Sequence, residues 1–496
     1  MIMKKFNIYI IFLSAILILA SCSDWLDVQP STEKDRADLV ESADGYKKML
    51  YGTYINLTSP TLYGGNLTYG LLASLGRDYV KDLSYVSWVH YNYGDDFRSS
   101  YFDPIWSTMY NNIANVNSIL ADIDEHKASF RQGEYELVAG EAYAERAFMH
   151  FDLLRMFAPN YVGNEDAIAI PYITSYEAAR HVHQTAREVM KRVMEDLDQA
   201  ENLLKAGNDP LINSLQEITY KGGDTFTANR QYHFNYWAVE ALKARVYLYM
   251  GDKANALKYA QAVISNAPFT WTPESVISSG DKVFQSEMIF GLDVPELPNY
   301  YEANFTSENF VLAEMGWSSY NVYSLNIFED ANDYRYLYLL TNDKNGNLQA
   351  LPSKLKQDVG SSKTMKKQTI PLIRLGEMYL IAAECQAESN PAEAIQLLRT
   401  LKKNRGYFAS DAGVAEGSDA NAINDYVRRE MRKETYSEGQ FWFYLKRTDS
   451  ASVPNFSAWS PTTPVQLSVY TFAIPEMEKE YGAIPSTDKK EDGKAN

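Results

Sequence analysis

The chain has 496 residues, a formal net charge of -17, 46% apolar residues and two cysteines. Its length and apolar content allow one large core or two ordinary ones, and the mean hydropathy of -0.35 argues against a polytopic membrane protein. The acidity disfavours binding nucleic acid, whose phosphates need clustered Lys and Arg, and two cysteines cannot build a disulfide framework or a cysteine metal site.

Lys4 and Lys5 precede an apolar run from Ile8 to Leu19, too short for a spanning helix with stop-transfer flanks. The run ends Leu19-Ala20-Ser21-Cys22, which resembles the lipobox of bacterial lipoproteins. On that reading residues 1–21 are a signal peptide and Cys22 carries the lipid, several acyl chains on one residue giving stable anchoring. Cleavage removes Lys4 and Lys5 and takes the net charge to about -19. Cys385 is then the remaining thiol, at an inward helix position, and is expected to be buried. Residues 23–37 are expected to form a polar tether.

Ser42 is expected to open a helix with Tyr46, Met49, Leu50 and Tyr54 on its inner face. From Thr58 to Asp103 the periodicity breaks. Five glycines (Gly64, Gly65, Gly70, Gly76 and Gly94) punctuate this stretch, and Trp88, Tyr91, Tyr93 and Tyr101 interleave with them. Irregular stretches of this length are uncommon in compact proteins unless they are functional. Helix returns at Pro104, with Ile105, Met109, Ile113, Val116 and Leu120 as its stripe. Residues 135–157 form an amphipathic helix with alanines on one face. After a loop containing Pro159 and Pro171, Thr185-Ala186-Arg187-Glu188 reads as a capping box that opens a helix to about Lys205.

Residues 237–268 carry the most specific local pattern. Ala244, Tyr247, Gly251, Asp252, Ala256 and Pro268 fall where a tetratricopeptide repeat places its small residue, aromatic, turn and closing proline, although Glu240 replaces the usual large aromatic. Gly251 is suited to end the first helix in a left-handed conformation, and Asp252 to cap the second. Residues 375–406 repeat the pattern with Ala382, Asn390 and Ala394, and Asn390-Pro391 is a strong helix start. Single units of this kind cannot bury their apolar face, so they imply a stack. Between the two copies, Val283–Leu292 and Tyr334–Leu340 look strand-like, and Asn345-Gly346 is a tight-turn signal. Residues 421–447 read as one further charged helix. The last fifty or so residues are irregular and end in a charged tail.

The chemistry-bearing residues form no catalytic or metal motif. His181 and His183 lack a neighbouring carboxylate motif and do not reach the ligand count zinc needs. Thr341 to Gly346 lacks the first Asp of a calcium loop, and Pro352 stands where the bidentate Glu belongs. There is no P-loop, nucleophile elbow or dinucleotide fingerprint. No metal or cofactor is expected. The ring-rich insertions are the best functional signal, because Trp and Tyr faces pack on the C–H faces of sugars while Arg, Asp and Asn meet the hydroxyls. The expected ligand-binding residues are Arg77, Asp78, Trp88, Tyr91 and Tyr93 in the first insertion, and Tyr300, Tyr301, Trp317 and Tyr320 in the second. The competing structural reading is that these rings staple their own loops to the scaffold.

Four stretches in order resemble the SusD/RagB family of outer-membrane nutrient-binding lipoproteins. They are Gly140-Glu141-Ala142 through Leu153-Leu154-Arg155, the segment Ala241 to Leu248, the segment Ile373 to Glu384, and Arg428-Arg429-Glu430 with Glu438-Gly439-Gln440 and Leu445-Lys446-Arg447. Asp24-Trp25-Leu26-Asp27 after the lipobox matches too. Where the commonest family pattern has an Arg and, three residues on, an Asp, this chain has Phe441 and Tyr444, two rings that can meet on one helix face.

The resemblance implies a mainly α fold in residues 22–496: a tetratricopeptide-like scaffold of helix pairs with large irregular insertions and a little β. The pairs would span about 104–205, 237–268, 375–406 and 421–447, and the ligand face would be built from insertions at about 58–103 and 269–370. It further implies a non-catalytic, lipid-anchored protein on the outer face of the outer membrane, binding an oligosaccharide and delivering it to a SusC-like TonB-dependent transporter. Three alternatives stay open: peptide capture by the same fold, glycoside hydrolysis by a carboxylate pair hidden among 64 acidic residues, or a pure protein-interaction scaffold that uses the repeat groove.

Overall fold

The computed structural model describes residues 31–78, 91–215, 226–305, 327–341, 351–357, 367–457 and 460–485. Cys22, Trp88, Trp317, Tyr320, the Asn345-Gly346 turn and the C-terminal tail lie outside the described residues. Helix begins at Ser31 in α1 (Ser31–Val40), inside the stretch expected to be a tether. The reason is tertiary: Arg36 donates to the Ser118 carbonyl at 3.0 Å and pairs with Asp122, so this polar helix is held from outside itself. In α2 (Ala43–Leu57) the Ser42 hydroxyl accepts from the Gly45 N–H, and Tyr46, Leu50, Tyr54 and Leu57 face inward.

Tight turns over residues 58–70 lead into the short α3 (Leu71–Leu75). The first insertion ends earlier than its glycines suggest. Helical residues resume at Asp95 and pass through one π-helical turn, Arg98–Phe102, into α4 (Asp103–Leu120). Phe102 lies flat on Phe472 at 4.0 Å, which fixes that turn against the C-terminal region.

The scaffold is a succession of antiparallel pairs. The helix α5 (Glu134–Phe157) is buried on almost every side, as expected of a helix surrounded by others. It packs along α6 (Ala186–Ala206), and both halves of the Thr185–Glu188 capping box form. Gly140 permits the close approach: a Cβ there would lie 2.9 Å from Leu204 Cγ. The second pair is α7 (Tyr236–Tyr249) and α8 (Lys253–Asn266), joined by Gly251 at φ 81° and capped by Asp252 on the Asn255 N–H at 3.0 Å. Tyr247 stacks on Tyr259 across the pair, with centroids 5.6 Å apart.

The middle insertion contains β1 (Met288–Asp293), α9 (Leu297–Phe305), α10 (Tyr334–Tyr338), β2 (Leu340–Thr341), β3 (Leu351–Pro352) and β4 (Thr369–Arg374). Strands β1 and β4 pair antiparallel, with Met288 opposite Arg374 and Asp293 opposite Thr369. Strands β2 and β3 also pair antiparallel on either side of the expected Asn345-Gly346 turn. Two expectations are corrected here. Val283–Leu292 becomes strand only from Met288. Tyr334–Leu340 is mostly helix, because Asp333 caps it on the Arg335 N–H and Arg335 is drawn inward by three acids.

The third pair, α11 (Leu375–Gln386) and α12 (Pro391–Lys403), is capped by Asn390 and buries Cys385, whose thiol burial pushes up to about 12. The expected single helix over 421–447 divides into α13 (Ala420–Glu434) and α14 (Gln440–Arg447), because Ser437 and Gly439 both adopt positive φ. Phe441 and Tyr444 do meet on one face of α14, stacked with centroids 5.9 Å apart. A hairpin of β5 (Ser452–Ser457) and β6 (Ser460–Pro464) and the short α15 (Glu476–Tyr481) complete the described chain, so its last part is less irregular than its prolines imply. Helix α6 packs on α7, α8 on α11, and α13 on both α11 and α12, which makes the pairs a continuous stack. Among the described residues, no helix is long and apolar enough to cross a membrane.

Glu434, at the end of α13, locks the middle insertion to this stack. Its carboxylate receives Arg335 at 2.8 Å, Arg405 at 2.6 Å and Arg374 at 3.1 Å, all of them buried. Burial alone would raise its pKa; Arg405, Arg374 and Arg335 outweigh that and hold it well below the usual carboxylate range. Glu434→Gln is expected to destabilise the fold by about 3–5 kcal/mol, since it leaves buried guanidinium groups uncompensated. Urea unfolding at pH 7 measures this. A loss below about 1 kcal/mol, as at exposed ion pairs, would remove Glu434 from that role.

Candidate ligand-binding site

The structure places the described candidates of the first insertion against the scaffold. Tyr91 is buried and donates its hydroxyl to the Leu75 carbonyl at 2.8 Å, with the Arg77 guanidinium 5.0 Å from its ring. Tyr93 donates to the Val469 carbonyl at 3.0 Å and sits among Phe97, Phe102 and Phe472. Asp78 is buried and accepts from the Ser437 N–H at 2.9 Å, while the Arg77 carbonyl accepts from Arg432 at 2.6 Å. These contacts fasten Tyr91, Tyr93 and Asp78 to the scaffold.

In the second insertion Tyr301 is buried and Tyr300 half-buried on α9. Phe305 of the same helix meets Tyr69 of the first insertion at 6.0 Å. The two insertions therefore converge, even though their described rings point mostly inward.

A cleft of about 670 Å³ opens between α2, the 228–233 turn and the end of β1, a volume typical of small-molecule sites. One wall is the outer face of α2, with Tyr51, Ile55 and Thr58. A second is the turn Ala228 to His233, and a third is the end of β1 with Asp293, Pro295 and Glu296, closed by Lys367. The β1–β4 register brings Asp293 beside Lys367, and the two pair at 2.6 Å. The Lys367 ammonium lies 5.5 Å from the Tyr232 ring, whose hydroxyl is tied to Thr369 at 2.7 Å. Ile55 is 68% exposed on the rim.

Buried charge stiffens the floor. Tyr54 donates to Glu141 at 2.7 Å, His233 Nδ1 lies 2.8 Å from the same carboxylate, and Arg230 bridges Glu141 and Asp209. Burial would raise the Glu141 pKa; Arg230 and His233 reverse it, so the carboxyl lies below its ordinary value. The lining is thus rings and aliphatic carbon edged by Asn, Asp, Glu and Lys, able to pack a ring face and to exchange hydrogen bonds with hydroxyls. Among the described residues, no cluster of three or more His, Cys, Asp or Glu could hold a metal ion.

Tyr51, Ile55, Tyr232 and Lys367 were not expected from the sequence. A signal for two of them exists: Tyr51 and Ile55 are apolar residues spaced i,i+4 on α2, off its buried stripe of Tyr46, Leu50, Tyr54 and Leu57. Tyr232 and Lys367 carry no such mark: β1–β4 pairing places Lys367, and side-chain hydrogen bonds from Gln231 and Asn235 to β1 carbonyls place the turn that carries Tyr232.

Residues 24–217 match the family described as "Starch-binding associating with outer membrane", and residues 300–490 match the SusD family. The chain belongs to the SusD/RagB family. SusD-like protein P38 of Formosa agariphila is 24% identical, over 90% of this chain and 93% of its own. A SusD superfamily protein of Bacteroides thetaiotaomicron shares the fold at TM-score 0.67 and 21% identity, covering 90% of this chain and 99% of the other. A SusD-like carbohydrate-binding protein of Bacteroides vulgatus gives TM-score 0.66 at 18% identity, covering 88% and 96%.

Asp78 generates a pH prediction. Burial raises its pKa to about 7, against the opposing pull of Arg432 and the Ser437 N–H. The folded chain therefore holds this proton more tightly than the unfolded chain, and the residue's contribution to stability falls as pH rises from about 4 to about 7. Asp78→Asn keeps the acceptor for Ser437 and removes the ionisation. The variant is expected to gain melting temperature over the parent at pH 8 and to show no gain at pH 4.5; an equal difference at both values would contradict the assignment.

Proposed function

We propose that the protein captures an oligosaccharide on the outer face of the outer membrane and passes it to a SusC-like TonB-dependent transporter, tethered through lipid on Cys22 and breaking no bond itself. The observation that carries the reading is the ring-lined, polar-edged cleft between α2, the 228–233 turn and the middle insertion on a SusD fold. Family membership supports it, as does the B. vulgatus neighbour described as carbohydrate binding. Trp88, Trp317 and Tyr320, together with Arg77 and Tyr300, remain proposed contributors to the same ligand face.

Binding is favoured over hydrolysis by the surroundings of the cleft carboxylates. A glycosidase needs one carboxyl kept protonated in an apolar setting beside an ionised partner. Here Asp293 is ion-paired to Lys367, and Glu296 is exposed and accepts from Asn299 at 2.6 Å.

Isothermal titration against a panel of neutral polysaccharides and of peptides tests the reading. Saturable binding of one glycan is expected, with Tyr51→Ala weakening it by about 1–3 kcal/mol, as for a central aromatic anchor. Tight peptide binding with silence across all glycans would overturn it in favour of peptide capture.

A further inference from the structure

A second cleft, of about 370 Å³, shares no residue with the first. Its floor is Trp106 and Tyr110 of α4 with Pro171 and Ile173; its far wall is Glu478, Tyr481 and Gly482, and its rim carries Ser107, Asn111, Arg180 and His181. Trp106 lies parallel to His183 at 6.0 Å, and Tyr110 is fixed by donating to the Pro171 carbonyl at 2.8 Å. The far wall is clasped in place. Arg180 donates to the Gly482 carbonyl at 2.7 Å, the His183 N–H to the Ala483 carbonyl at 3.0 Å, and His183 Nε2 lies 2.9 Å from Glu478. Gly482 is required where the chain folds back over α15, since a Cβ there would come within 2.3 Å of the Glu478 carbonyl.

This arrangement holds the Tyr481 ring out from the wall at 58% exposure. Ser107 and Asn111, one helical turn apart on the exposed face of α4, stand at the cleft with an amide and a hydroxyl. An aromatic floor, a free-standing ring and several short polar groups suit a flat, polyhydroxylated molecule with one apolar face. They suit an extended anion poorly, because Glu478 lies in the wall, and the chain as a whole is strongly acidic.

We propose that this cleft is a second glycan subsite, taking a neutral mono- or disaccharide unit against Tyr481 and the Trp106–Tyr110 floor. It rests on the reading of the protein as a glycan binder. Two separated subsites on one chain turn engagement of the second into an intramolecular event, which favours long polysaccharides over short fragments.

The test uses the mature chain with polymer–trimer pairs: soluble starch and maltotriose, laminarin and laminaritriose, xylan and xylotriose. For the pair that binds, titration with the trimer is expected to give two sites per chain. Tyr481→Ala, and independently Asn111→Ala on the rim, should each reduce that to one and weaken polymer retention in affinity gels by about tenfold or more. Tyr51→Ala should remove the other site. One trimer site in the parent, unchanged by either Tyr481→Ala or Asn111→Ala, would overturn the second subsite while leaving glycan binding at the first cleft intact. No binding of any pair by the parent would count against both.

Discussion

Three guanidinium groups converge on the carboxylate of Glu434, and the arrangement ties together parts of the chain that no local rule would connect. Arg335 comes from α10, Arg374 from the end of β4, and Arg405 from the turn after α12. The set extends outward: Arg405 also pairs with Glu287 at 2.6 Å, Arg335 with Glu430 at 2.8 Å, and Arg374 with Glu438 at 2.9 Å. Taking such charges out of water costs several kcal/mol per ion unless each lone pair and N–H is matched, so the geometry is all or nothing. Gly376 belongs to it as well, because a Cβ there would stand 2.5 Å from Glu434 Oε2.

What this hub positions is the β1–β4 ladder. Arg374 ends β4 and Glu287 immediately precedes β1, so both strands are pinned at the same end of the ladder. Their opposite ends present Asp293 and Lys367 to the cleft. A second buried network, Glu141 with Tyr54, His233 and Arg230, fixes the facing walls on α2 and the 228–233 turn. The cleft is therefore framed by rigid elements on each side, the condition under which a few aromatic and polar contacts yield useful affinity without a large ordering cost.

The helical scaffold was legible because its signals are local. The Thr185–Glu188 box, the Asp252 and Asn390 caps and the Gly251 turn depend on residues within one turn of each other, and each forms as expected. The errors fall where a distant partner overrides local preference. Ser31–Val40 is helical because Arg36 finds α4; Tyr334–Tyr338 is helical because Arg335 finds Glu430 and Glu434. The run at 421–447 reads as one charged helix, but it divides in two, and Glu430, Lys433 and Glu434 are almost wholly buried in the ion network.

By itself the sequence determined the class of fold, the order of the helix pairs, their caps, and the family to which the chain belongs, because periodicity and capping are properties of neighbours in the chain. It could count aromatic residues in the insertions but not orient them. Whether Tyr91 and Tyr301 are buried, Tyr51 half-buried at the cleft and Tyr481 exposed depends on which surfaces their segments meet, and that was decided only by tertiary packing. Both clefts are products of the same kind of decision: each is walled by segments far apart in sequence, and what joins those segments is strand register, buried charge and a folded-back chain end.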